Sequence, residues 1–213
     1  MSAVSSGKVE VGAVPGAADA AWASLELPLT AQQLLEFLAD IERLFRLNPH
    51  LEITAWQASG PPAGSYRMSA LNESNGRRSE VSIRTRPLSE DAGLVLEYDS
   101  GLKRSTELRI APAAAGSLLT VTECYQPVSD DSDERLKEVD RSLVPWVASI
   151  RRHLTRRARY GEIPGYQWWA ERFMLGMPPR QRRMVRMIVW VSVLEFCVFA
   201  FVVAIYWLEA QRS

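Results

Sequence analysis

The chain has 213 residues, 47% of them hydrophobic and 23% charged, values of a folded protein with room for one ordinary domain and an appendage. The 25 Lys and Arg balance 25 Asp and Glu, so no global basic excess points to nucleic acid. The 2 Cys (Cys124, Cys197) and 2 His (His50, His153) lie far apart, which excludes a disulfide framework and argues against a zinc or di-iron site. GxGxxG, GxxxxGK[ST] and GxSxG are all absent.

The first 20 residues, MSAVSSGKVEVGAVPGAADA, lack an apolar core of the kind a secretory signal needs. Their Ala, Gly and Ser content predicts a disordered leader over residues 1–19. Ala21–Leu27 alternates and predicts a strand that Pro28 ends. Thr30 is placed to cap a helix over Ala31–Ala39, and Asp40 to cap a second one through Phe45, stopped at Asn48-Pro49. Strands are then predicted at Leu51–Gln57, Ser65–Leu71, Arg78–Arg86, Leu94–Tyr98, Lys103–Ile110 and Ser117–Tyr125, with Asn75-Gly76 as the strongest hairpin signal. Short connections imply an antiparallel meander, with the first strand free to pair at an edge.

Asp130, Asp131 and Asp133 predict the start of a long helix. Leu136, Val139, Leu143, Val147, Ile150 and Leu154 give it one apolar stripe, and Pro145 is expected to kink it. From Arg141 to Arg186 there are 11 Arg against 2 acidic residues, a local basic block on a neutral chain.

Met187–Leu208 is a run of 22 residues with a single charge, Glu195. At about 1.5 Å per residue it spans roughly 33 Å, the thickness of a bilayer's hydrocarbon core. Arg180, Arg182, Arg183 and Arg186 precede the run and only Arg212 follows it. The positive-inside rule therefore predicts a single-pass protein of the inner (plasma) membrane with its N-terminal part in the cytoplasm.

The order strand, two short helices, six strands and one long amphipathic helix resembles the START-like superfamily, also called the SRPBCC or polyketide cyclase/coenzyme Q-binding group. The stretch Phe37-Leu38-Ala39-Asp40-Ile41-Glu42-Arg43-Leu44 followed by Asn48-Pro49-His50-Leu51 is similar to the segment where that group carries F-x-x-D-x-E and a following Pro. The resemblance covers residues 20–160. It implies an α+β helix-grip fold, a seven-stranded antiparallel sheet around the long helix, with a hydrophobic cavity for a lipid, quinone, sterol or polyketide. The expected organisation is a leader over 1–19, the START-like domain over 20–160, an amphipathic juxtamembrane segment over 161–183, a transmembrane helix over 184–208 and a short tail over 209–213.

Alternation makes Tyr66, Met68, Val81, Ile83, Leu96 and Tyr98 the candidate lining, with Trp146 and Ile150 from the long helix. The same positions suit a plain core. Glu97, Glu107 and Glu123 are expected on the solvent face, paired with Arg84, Arg104 and Arg109. No residue is singled out as catalytic or metal-ligating, and no cofactor is implied beyond a bound lipid or quinone. Trp168, Trp169 and Phe173 lie beside Arg180, Arg182 and Arg183, a composition that suits the headgroup layer of a membrane or an extra packed helix. Ser192 and Glu195, one turn apart inside the span, are candidates for docking another transmembrane helix.

Three functions fit these features. The first is a membrane-anchored protein that binds a lipophilic ligand and presents it at the cytoplasmic face. The second is an accessory subunit of a membrane protein complex, held through Glu195 and the juxtamembrane segment. The third is a cyclase or aromatase of the polyketide type.

Overall fold

The computed structural model describes residues 10–13, 20–58, 64–73, 76–89, 92–101, 103–114, 116–126 and 134–211, with backbone alone over 10–13 and 134–142. The chain divides into two compact units, Met1–Gly176 and Met177–Ser213.

The first unit is built on one antiparallel sheet. Its strands are β1 (Glu10–Ala13), β2 (Ala20–Leu27), β3 (Leu51–Ala58), β4 (Ser65–Asn72), β5 (Arg77–Pro87), β6 (Ala92–Tyr98), β7 (Lys103–Ala113) and β8 (Gly116–Tyr125). They lie in the order β1-β2-β8-β7-β6-β5-β4-β3. The six strands of the meander follow sequence, and β2 returns to pair with β8 from Ala20↔Cys124 to Leu27↔Ser117. All seven predicted strands are present. The eighth, β1, corrects the expectation of a disordered leader at Glu10–Ala13; the rest of residues 1–19 lies outside the described residues. The physical reason is the vacant edge of β2, which offers backbone groups to any extended segment that reaches it.

Two short helices cross from β2 to β3. In α1 (Ala31–Leu38), the Thr30 hydroxyl accepts from the Gln33 N–H at 3.2 Å, and the Gln33 side chain accepts from the Thr30 N–H at 3.0 Å. That reciprocal cap satisfies two backbone donors the helix cannot use internally. In α2 (Ile41–Arg46), Asp40 accepts from the Arg43 N–H at 3.0 Å. The two helices bury Leu34, Phe37, Leu38, Ile41, Leu44 and Phe45 against the sheet. Each such side chain contributes about 1.5–3 kcal/mol of hydrophobic stabilisation.

The long helix α3 (Glu134–Tyr160) closes the layer, with Pro145 inside it. Leu143, Trp146, Val147, Ile150 and Leu154 are buried in the common core; the side chains of Leu136 and Val139 lie outside the described residues. The indole N–H of Trp146 donates to the Leu44 carbonyl at 2.9 Å, which ties α3 to α2. Gly116 opens β8 at φ +139, where a Cβ would run into the Leu27 carbonyl. Its missing side chain lets the β7–β8 turn sit against the end of β2.

The second unit is a single helix, α4 (Pro179–Ala210, 32 residues), with Pro at its first position, where an amide hydrogen is not needed. Among the described residues it is the one helix long and apolar enough to cross a membrane. It starts before the expected span at 184–208, because nothing between Pro179 and Arg186 breaks a helix. The contact boundary at Gly176 falls within the expected juxtamembrane segment, so that segment's first part belongs to the first unit.

Candidate functional site

The grip's inner face is apolar and aromatic. Of the candidate lining residues, Met68, Ile83, Leu96, Trp146 and Ile150 are buried, and Tyr66, Val81 and Tyr98 pack half-buried against them. The register explains the grouping: Tyr66 pairs with Ile83, Met68 with Val81, and Ile83 with Tyr98, so one pleat face carries them all. Two aromatics that alternation alone did not single out complete the lining. Phe45 of α2 has ring centroids at 5.7 Å from Trp146, 6.1 Å from Trp56 and 6.4 Å from Tyr98, and Trp56 lies 5.3 Å from Tyr66.

A polar cluster sits on the same inner face. Glu123 is fully buried, as is Thr106. The Lys103 ammonium and the Tyr125 hydroxyl both donate to the Glu123 carboxylate, one to each oxygen. The Tyr98 hydroxyl shares a 2.9 Å hydrogen bond with Thr106. Burial pushes the Tyr98 phenol far above its usual range, and the negative charge of Glu123 adds to that. Tyr98 is therefore a neutral hydrogen-bonding group, not a proton donor of ordinary acidity. Lys103 also lies 5.7 Å from the Trp146 ring centroid, within cation–π range.

This corrects the expectation that Glu123 lies on the solvent face in a surface ion pair. Its parity along β8 with Leu119, Val121 and Tyr125 turns it inward. Lys103 reaches it because the ladder slips between Lys103 and Ser105, so Lys103 pairs with Tyr125 while Ser105 pairs with Cys124. A bulge of this kind re-aims one side chain, here from the outer face to the inner one. Glu97 does lie outside, where Arg86 rather than the expected Arg84 binds it at 2.7 Å.

Two clefts border the α1–α2 corner. One, of about 450 Å³ and open to solvent, is lined by Glu36, Ala39, Asp40, Ile41, Glu42, Trp56 and Tyr66, and so meets the aromatic lining at its rim. The other, of about 190 Å³, lies between Leu29, Gln33, Phe37, Arg43, Leu154 and Arg157.

Beyond α3 the chain forms a π-helical turn, Trp168–Met174. Glu171 in this turn accepts from Arg43 of α2 at 3.1 Å and from Arg157 of α3 at 2.9 Å. Arg43 is itself held by two bonds to Asp40, at 2.8 and 2.9 Å. Leu175 joins the domain core. The His153 ring lies tilted at 34° beside Phe37, with centroids 5.9 Å apart, and its Nε2 lies 3.8 Å from Glu171. Burial first, then the charges of Arg43 and Arg157, pulls its pKa down to about 4, so the imidazole is neutral. Trp168, Trp169 and Phe173 point away and are exposed. Neither Glu171 nor His153 was legible as part of a site, since Arg43 and Glu171 are 128 residues apart.

In the second unit, Arg180, Arg182 and Arg183 fall in the first turns of α4, and Ser192 and Glu195 lie on its exposed surface. Among the described residues no group of His, Cys, Asp and Glu is arranged to hold a metal ion.

No protein-family model and no curated protein matches the sequence. Solved structures do share its fold. A START superfamily protein from Mycobacterium smegmatis superposes with a TM-score of 0.51 at 13% identity, over 64% of this chain and 97% of that one. A protein from Nitrosomonas europaea gives a TM-score of 0.52 at 10% identity, over 67% and 97%. A second M. smegmatis protein gives 0.52 at 12%, over 70% and 98%. Almost the whole of each of these proteins is matched, while about a third of this chain, an amount consistent with its two ends, has no counterpart in them. At such identities the likeness speaks for fold alone: the first unit has the START-like helix-grip fold that its order of elements had suggested.

Proposed function

We propose that this chain is a membrane-anchored binding protein for a lipophilic ligand, a lipid, quinone or sterol-like molecule, which it presents at the cytoplasmic face. The observation that carries the reading is the pairing of an aromatic, apolar inner sheet face with one helix long and apolar enough to cross a bilayer. Binding sites for apolar molecules are concave and apolar with a few placed polar groups, and Tyr98, Thr106, Lys103 and Glu123 are such groups. The Arg excess before α4 supports a cytoplasmic domain in the plasma membrane. A reporter fused ahead of Ser2 should then be cytoplasmic and one after Ser213 should not; both on one side refutes a single pass.

Native mass spectrometry of the full chain, purified in mild detergent, should reveal a co-purified lipophile. Ile83→Trp or Leu96→Trp should remove it by filling space on the inner face, since both side chains are buried there. Absence of any bound lipophile in the wild type refutes the reading.

An accessory-subunit role is the second reading. The contacts of Phe45 with three other rings favour it, because they fill part of the interior. It predicts a stoichiometric membrane partner and no ligand in the same spectrum. A cyclase or aromatase finds support in the inward polar cluster, but both oxygens of Glu123 are already engaged, which leaves no free base at that position.

A further inference from the structure

The segment between α3 and α4 has two faces with different business. One face is fixed to the folded domain. Glu171 receives Arg43 and Arg157, and Leu175 enters the core. The other face holds Trp168, Trp169 and Phe173, all exposed, with Ile163 exposed a little upstream. The π-helical geometry is what separates the faces. Its i to i+5 repeat sets Trp168 over Phe173, with rings stacked at 6.1 Å and 18°. At 3.6 residues per turn, five positions would carry Phe173 well past Trp168 around the axis.

We infer that this turn is a foot: its aromatic face docks into the headgroup–acyl boundary of the bilayer that α4 crosses, while Glu171 fixes the turn to the domain and so sets the domain's orientation above the membrane. The occupant of the aromatic face follows from chain length. Between Met174 and Pro179 there are only four residues, at most roughly 17–18 Å when fully extended, and the eight residues of α4 before the apolar run at Met187 add about 12 Å. The face cannot leave the neighbourhood of the membrane surface. Exposed Trp on such a tether has the amphipathic chemistry that favours the interface, an apolar ring with one N–H donor. A domain on a flexible linker would tumble above the bilayer. A domain bound through Glu171 to a docked foot cannot. The chain of contacts from Glu171 through Arg43 to Asp40 ends at the wall of the open cleft beside Trp56 and Tyr66. Fixing the foot therefore fixes which way that cleft faces. The inference rests on the anchoring part of the proposed function and is independent of whether a ligand is bound.

The test uses the full chain in phosphatidylcholine nanodiscs whose acyl chains carry bromine near the carbonyl end, which quenches nearby Trp. The chain has 7 Trp. Trp190 and Trp207 lie in α4, and Trp22, Trp56 and Trp146 lie in the folded domain. If Trp168 and Trp169 are docked, Trp168→Phe with Trp169→Phe removes strongly quenched emitters, and the quenched fraction of the total emission falls. If they face water, the same change removes unquenched emitters and the fraction rises, which overturns the inference. Loss of all quenching in the double variant would instead overturn the anchor itself. For the orientation, a donor dye at Arg78→Cys, in a background with Cys124→Ser and Cys197→Ser, is paired with acceptor headgroups. The distance distribution should be narrow for the otherwise native chain and should broaden for Glu171→Ala and for Arg157→Gln. Hydrogen exchange of β7 and β8 controls for folding of each variant. Equal widths in all three chains overturn the orienting role of Glu171.

Discussion

Lys103→Met should destabilise the domain more than Glu123→Leu, although the two residues form one ion pair. The asymmetry follows from burial. The Glu123 side chain is 0% exposed, whereas that of Lys103 keeps 29% of its surface. Without the ammonium, the carboxylate stays buried with only the Tyr125 hydroxyl as a donor. Stranding one partner of a fully buried pair costs about 3–5 kcal/mol. The exposure of Lys103 argues for the lower end, about 3 kcal/mol. Without the carboxylate, Lys103 can extend its ammonium toward water along its own methylenes. The remaining cost is then chiefly the lost hydrogen bond from Tyr125 to the carboxylate, about 1.5–3 kcal/mol, offset in part by the added apolar side chain. The double variant, Lys103→Met with Glu123→Leu, should recover most of the loss seen in Lys103→Met, since apolar replacement of a buried pair is often neutral or better. Urea unfolding of the full chain in mild detergent, followed by the sheet's circular dichroism, measures all three. A Lys103→Met cost within about 0.5 kcal/mol of zero would mean that the pair behaves as an exposed one and that the bulge does not turn Lys103 inward.

Two further outcomes follow from single residues. His153 has its pKa pulled from 6.5 to about 4, so between these values the unfolded chain binds more protons than the folded one. Stability is full above pH 6.5 and falls as the pH drops toward 4, by at most roughly 3 kcal/mol. His153→Phe, which keeps a ring beside Phe37, should flatten that slope in melts taken across the window; an unchanged slope shows that the imidazole is not the cause. Glu195→Leu should make α4 more apolar yet weaken its association with a partner helix by about 0.6–2 kcal/mol, and recovery of the same partners from native membranes by both chains would remove Glu195 from any docking role.

Period and punctuation made most of the fold legible. Alternating residues placed the seven long strands to within a few residues, and Thr30 and Asp40 marked the helix starts because each caps with its own side chain. What stayed hidden depends on events that break a period. Counting in twos from Thr106 puts Lys103 on the outer face, and only the slip between Lys103 and Ser105 brings it inside. Counting at 3.6 residues per turn scatters Trp168 and Phe173, and only the π repeat stacks them. Glu123 is a different case. Its parity with Leu119, Val121 and Tyr125 was in the sequence, and its charge argued wrongly against an inward position. The Glu171 contacts could not be read at all, since they join α2, α3 and the π-helical turn across the fold.

The proposed anchor would change what the inner face must achieve, and this has a measurable consequence. A soluble carrier must hold its ligand against dilution into water, so it needs high intrinsic affinity. A domain tethered within roughly 30 Å of a bilayer would meet a dissolved lipophile at the effective concentration of the membrane, which for short tethers is of millimolar order. Modest affinity then suffices, and exchange can be fast. Removing residues 177–213 should therefore leave the intrinsic dissociation constant for a quinone analogue unchanged within about twofold, because the lining belongs entirely to the first unit. Occupancy in the presence of liposomes should fall, by a factor of ten or more wherever the free ligand lies well below that constant. Fluorescence titration in solution gives the first quantity and co-flotation with quinone-loaded liposomes gives the second. A truncated chain that loads from liposomes as fully as the intact one would show that the ligand reaches the grip through water, and the anchor would then serve a partner protein instead.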